Sequence, residues 1–78
     1  MRRVVVYHAD GCHLCGRALE VVTQAQAELQ FTLELVDITG DAALEAAYRK
    51  SIPVVEIDGA SAFTYFVPPD ALRVRLSA

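Results

Sequence analysis

The chain has 78 residues, of which 54% are hydrophobic and 22% charged, and its formal net charge is −3. That length makes one domain, residues 1–78, and the apolar content excludes a disordered segment, which needs low hydrophobicity and high net charge. A small negative charge excludes a nucleic-acid partner bound through a basic face.

Met1-Arg2-Arg3 opens like a targeting peptide, but the apolar run behind it covers only residues 4–6 before Tyr7, His8 and Asp10. A signal sequence needs an apolar stretch of about 7–15 residues, and a membrane span about 20. The expectation is a cytoplasmic protein, monomeric, with no membrane partner.

Residues 2–8 read as a strand. Three consecutive valines at its centre suit a central position buried on both faces. Ala9-Asp10-Gly11 is a turn signal. From Cys12 to about Glu28, apolar residues recur at Cys15, Ala18, Leu19, Val22, Ala25 and Leu29, the spacing of an amphipathic helix. Phe31, Leu33 and Leu35 alternate with Thr32 and Glu34, which predicts a strand ending near Asp37 or Ile38. Thr39-Gly40-Asp41 breaks the chain and offers Thr39 or Asp41 as the cap of a second helix, with Leu44, Ala47 and Tyr48 on one face. Pro53 stands at the mouth of a third strand, Val54 to Ile57, where a missing N–H is tolerated. Asp58-Gly59 is a hairpin turn, and residues 62–66 return as an antiparallel strand. Pro68-Pro69-Asp70 stops that strand and opens a last helix over 71–76. The order is βαβαββα, an α/β class with a four-stranded mixed sheet flanked by helices. Its first two strands run parallel through a right-handed crossover.

The two cysteines form a C-x-x-C pair. In a reducing compartment such a pair is catalytic or metal-binding before it is structural. Cys12 falls where a strand and turn meet a helix N-terminus. The unpartnered N–H groups and the dipole there stabilise a thiolate, so its pKa is expected to lie below that of free cysteine. Cys15 lies nearly one turn on, within reach of a disulfide. The more exposed Cys12 is then the nucleophile and Cys15 the resolving sulfur. Both histidines flank the pair, and a protonated His8 or His13 would favour the thiolate further. Arg17, if beside the pair, favours an anionic substrate. Zinc is the rival reading: Cys12 and Cys15 with His8 or His13 approach a tetrahedral set, but no second C-x-x-C exists.

This order, with Cys12-His13-Leu14-Cys15 opening the first helix and Ile52-Pro53-Val54 beginning the third strand, resembles the thioredoxin fold over essentially the whole chain. Within that fold the short length and the C-x-L-C motif are similar to the small glutaredoxin-like proteins. The resemblance implies a cis Ile52–Pro53 bond beside the cysteines, with neighbouring backbone that pairs with thiol substrates. It implies catalytic roles for Cys12, Cys15, Pro53 and His13, and offers Arg49 and Lys50 as anchors for a glutathione carboxylate. It further implies a thiol–disulfide oxidoreductase acting on a disulfide-containing protein or small thiol, with no bound cofactor and no metal, and with glutathione as substrate or reductant. A non-catalytic redox sensor or adaptor, and a metal or iron–sulfur carrier, are the alternatives. The sequence also departs from glutaredoxins. His13 and Leu14 replace the usual proline and aromatic between the cysteines, and Val67-Pro68-Pro69 stands where a Gly-Gly turn admits glutathione. It departs from thioredoxins too, having no tryptophan and a first strand without a buried acid.

Overall fold

The structure, a computed structural model, describes residues 2–77. Met1 and Ala78, the ends of the expected domain, lie outside the described residues. The elements run β1 (Arg2–His8), α1 (His13–Glu28), β2 (Phe31–Asp37), α2 (Ala42–Tyr48), β3 (Val54–Ile57), β4 (Ala60–Thr64) and α3 (Pro69–Ser77). The sheet order is β2-β1-β3-β4, with β1 parallel to β2 and antiparallel to β3, and β3 antiparallel to β4. The βαβαββα order and the mixed sheet are those expected.

The valine run does put β1 at the centre, but not buried evenly. Val4 and Val6 are fully buried opposite Ile57 and Val55, on the face that α1 and α3 cover. Val5 and Tyr7 point to the other face and stay half-buried, because the only helix there, α2, has seven residues. On α1 the residues Cys15, Ala18, Val22 and Ala25 are buried, the three-to-four spacing of the sequence. Leu72 is the one buried residue of α3 and is fully enclosed in the same main cluster. A second, smaller cluster forms at the end of β1 from Ala9, Cys15, Ile38 and Ile52, with Tyr7, Cys12, Leu44 and Tyr48 packed against it.

Three expectations shift. Asp58 and Gly59 both hold positive φ (52° and 86°), so the hairpin turns in two residues and β4 begins at Ala60, two residues earlier than the hydrophobic pattern suggests. The last helix starts at Pro69, whose absent N–H suits a first helical position. Ala47 is exposed, and the inner face of α2 carries only Leu44 and Tyr48. Among the described residues no helix is long and apolar enough to cross a membrane.

Candidate active site

Gly11, at φ +74°, turns the chain out of β1 so that Cys12 becomes the N-cap of α1. The usual N-cap is a side-chain oxygen. Here the acceptor is sulfur: the Cys15 N–H donates to Cys12 Sγ at 3.1 Å. No acidic residue stands in the first turn of α1 to pair with the positive end of the helix. Cys12 is half-buried, whereas Cys15 is 2% exposed inside the second cluster. The two are joined as a disulfide, with Cα atoms 5.2 Å apart.

The loop before the cysteines is tied to the loop after β2. The Ile38 N–H donates to the His8 carbonyl at 2.9 Å, and the Asp10 N–H to Thr39 Oγ1 at 3.4 Å. Thr39 is thereby used as an acceptor, and Asp41 alone caps α2, taking the Leu44 N–H at 3.0 Å. His8 sits opposite Asp37 in the β1–β2 register and adds a minor part to the lowering of the Asp37 carboxyl, whose main cause is its hydrogen bonds from Thr39. His13 is the first residue of α1 and is exposed. Neither imidazole hydrogen-bonds to a sulfur.

Ile52–Pro53 is cis and Pro53 is fully buried, while Ile52 belongs to the cluster that holds Cys15. The backbone beside it is engaged internally. The Ile52 N–H donates to the Tyr48 carbonyl at 3.1 Å, and the Pro53 carbonyl accepts from the Tyr65 N–H at 3.0 Å. That N–H and that carbonyl thus each have an internal partner. Arg49 donates through Nε to Glu45 Oε1 at 2.7 Å, one turn back on α2, so this guanidinium serves its own helix. Lys50 is exposed and makes no ion pair among the described residues, and its carbonyl accepts the Tyr65 hydroxyl at 2.7 Å.

Two features escape sequence reasoning. Tyr65 has φ +66°, which is uncommon for a bulky residue, and the Phe66 N–H bonds back to the Thr64 carbonyl at 2.7 Å, closing a γ-turn. This turn throws Phe66 outward beside Leu14 and Arg17. Only the pair of aromatics before Pro68-Pro69 could have signalled it. The second feature lies on the α2 side of the sheet. The Tyr7 and Tyr48 rings stack at 4.0 Å, and their hydroxyls donate to Glu56 at 3.4 and 3.3 Å. Tyr48, burial and Glu56 together raise the Tyr7 phenol above its ordinary range. The three residues come from three elements, so no local spacing announces them.

Residues 3–77 match the family described as Glutaredoxin-like domain (DUF836). Among solved structures, a structural-genomics target protein from X. campestris is 33% identical with a TM-score of 0.78, the match covering 95% of each chain. A protein from Nitrosomonas europaea is 30% identical, TM-score 0.77, over 96% of this chain and 91% of its own. The oxidised thioredoxin of Plasmodium falciparum, 17% identical with a TM-score of 0.66 over 97% of this chain and 78% of its own, shares the fold. No curated protein matches the chain. With its thioredoxin fold and its disulfide-forming pair at the head of α1, the chain belongs to the glutaredoxin-like domain family.

Proposed function

We propose that the protein is a thiol–disulfide oxidoreductase in which Cys12 attacks and Cys15 resolves. The observation that supports this best is the asymmetry of the pair. Cys12 caps α1 and receives the Cys15 N–H at 3.1 Å, while Cys15 is buried behind it. In the reduced protein the same N–H and the helix end favour a thiolate at Cys12, holding its pKa below that of free cysteine. His13 adds positive charge nearby when its imidazole is protonated, and Pro53, whose neighbour Ile52 packs in the cluster with Cys15, is assigned to the substrate-facing side of the site.

The Cys12 thiolate attacks one sulfur of a disulfide in a protein or small molecule. A bond forms between the two sulfurs as the substrate's S–S bond breaks, and the released thiolate takes a proton from water. Cys15 then loses its proton to solvent and attacks Cys12 Sγ, and the second substrate thiolate leaves. Two electrons have passed to the substrate, and the protein holds the Cys12–Cys15 disulfide. Two equivalents of a monothiol such as glutathione, or one dithiol protein, return the electrons by the reverse exchanges. The scheme uses no bound cofactor. Nor does it use a metal.

The test is equilibration of the pair with glutathione buffers, followed by mass spectrometry. The expected result is a reversible two-electron transition in the range of roughly −270 to −120 mV spanned by known oxidoreductases, together with many turnovers of disulfide per protein. A pair that changes state once and passes no reductant on makes the protein a sensor. Protein that purifies anaerobically with metal on its thiolates overturns the scheme.

A further inference from the structure

A groove of about 290 Å³ lies between α1 and residues 65–69, reaching the cysteine motif at Leu14 but lined by neither sulfur. Leu14, which lies inside the C-x-x-C motif, forms its end nearest the sulfurs. Val21, Val67 and the two prolines make its walls apolar, and Phe66, 69% exposed, stands on its rim. Phe66 is held there rather than loose. The γ-turn at Tyr65 that projects it is pinned through the Tyr65 N–H to Pro53 and through the Tyr65 hydroxyl to Lys50. The volume is at the small end of ligand sites, which run from about 300 to 1,000 Å³, so it suits one side chain and not a whole cofactor.

The polar groups of the groove are few and one-sided. Arg17 is the single charged residue in its lining and makes no ion pair among the described residues. Glutathione carries two carboxylates and an ammonium, and this wall supplies one cation and no anion. Backbone donors are scarce as well. Pro68 and Pro69 have no N–H, and the Tyr65 and Phe66 N–H groups are spent on Pro53 and Thr64, which leaves only Val67 along this segment.

We infer that this groove makes the protein selective for polypeptide disulfides whose cysteine is flanked by an aliphatic or aromatic side chain and an acidic residue. The apolar side chain fills the space between Leu14 and Phe66, and the carboxylate pairs with Arg17. The inference rests on the oxidoreductase reading and narrows its substrate class.

The test uses the Cys15→Ser protein, which can form but not resolve a mixed disulfide on Cys12. Its equilibrium is measured against glutathione and against capped hexapeptides carrying one cysteine, one leucine and either a glutamate or a lysine. Burial of an apolar side chain predicts about a tenfold preference for the leucine peptides over glutathione, and a surface ion pair about a threefold preference for glutamate over lysine. Arg17→Glu inverts the second preference, and Phe66→Ser, at an exposed position, removes the first. Glutathione binding as well as the peptides, or a charge preference unchanged in Arg17→Glu, overturns the inference while leaving the oxidoreductase reading intact. The groove is also read without redox chemistry, by titrating ¹⁵N-labelled oxidised wild-type protein with the glutamate peptide bearing serine for cysteine. Amide shifts centred on Leu14, Arg17 and Phe66 support the groove even if Cys12 exchanges with no thiol, dithiothreitol included. Absence of shifts there overturns it.

Discussion

Replacing Asp41 with alanine tests how the cover of Cys15 is held. A helix of seven residues is well below the length at which helices are stable alone, so α2 depends on its cap and on two side chains. Asp41 accepts the Leu44 N–H at 3.0 Å, and Leu44 and Tyr48 pack on the cluster that contains Cys15. Loss of an N-cap carboxylate costs about 1 kcal/mol, within a range of about 0.5–2. If that cost falls on the local opening of α2, the open population rises about fivefold, since RT is about 0.59 kcal/mol. The assay is the alkylation rate of Cys15 by iodoacetamide in a reduced Cys12→Ser background, with and without Asp41→Ala. A rise of about fivefold, with the urea midpoint moved by no more than the same energy, is expected. An unchanged rate refutes the view that α2 guards Cys15. A rise that tracks global unfolding shows instead that α2 and the main core open as one unit.

Three further outcomes follow from packing and charge. Leu72→Ala removes the only buried side chain of α3 and should cost about 2–5 kcal/mol. That is a large share of the roughly 4–12 kcal/mol expected for a chain of this size, and urea denaturation reads it, with exposed Val74→Ala as the near-neutral control. Acidification should weaken the fold, because Glu28, Asp37 and Glu45 all have depressed carboxyl pKa values, held down chiefly by hydrogen bonds from Arg73, Thr39 and Arg49 respectively. Their contribution is fully present above their ordinary values of 3.8 to 4.5 and is lost as pH falls below them. Urea midpoints measured between about pH 6 and 3 should therefore decline, less steeply in Glu45→Gln. At the alkaline end the Tyr7 phenol, its pKa raised by Tyr48, burial and Glu56, keeps its proton in the folded state where the unfolded chain loses it. Its contribution is present below the ordinary 10.0 and lost as pH climbs above it, a loss that Tyr7→Phe should abolish.

The order of elements was legible because each carries its own period or punctuation: valines in β1, three-to-four spacing in α1, alternation in β2, Asp58-Gly59 between β3 and β4. The cysteine site was legible for the same reason, since its geometry is local to one strand, one turn and one helix start. What the sequence concealed depends on tertiary placement. Glu56 reads as a polar strand residue until Tyr7 and Tyr48 arrive from two other elements. The Arg49–Glu45 pair, by contrast, lies one helical turn apart and follows from local spacing. In each case the residue's partner, not its own type, decides its availability. The two-sided burial expected of β1 failed on size, because seven residues of α2 cannot cover the face that Val5 and Tyr7 share.

A thioredoxin fold hosts unrelated activities, so what individualises this protein is the surface around Cys12 more than the pair itself. Pro68 and Pro69 carry much of that difference, and their effect is separable. Pro68→Gly with Pro69→Gly returns two N–H donors to the wall of the groove. The Pro68 carbonyl that accepts the Leu72 N–H at 3.0 Å is kept. The change loosens the unfolded chain by about 0.4–1 kcal/mol per site, which the fold should tolerate. A new hydrogen bond to a carboxylate gives about 1.5–3 kcal/mol, so the equilibrium for a glutathione adduct on Cys12 should rise roughly tenfold or more. The reduction potential with a dithiol should move little, because the Cys12 cap is unaltered. If the glutathione adduct does not gain, the missing donors are not the source of the proposed preference for peptides over glutathione. That preference then rests on the single charge of Arg17 and the protruding ring of Phe66, and substitutions at those two positions should shift it.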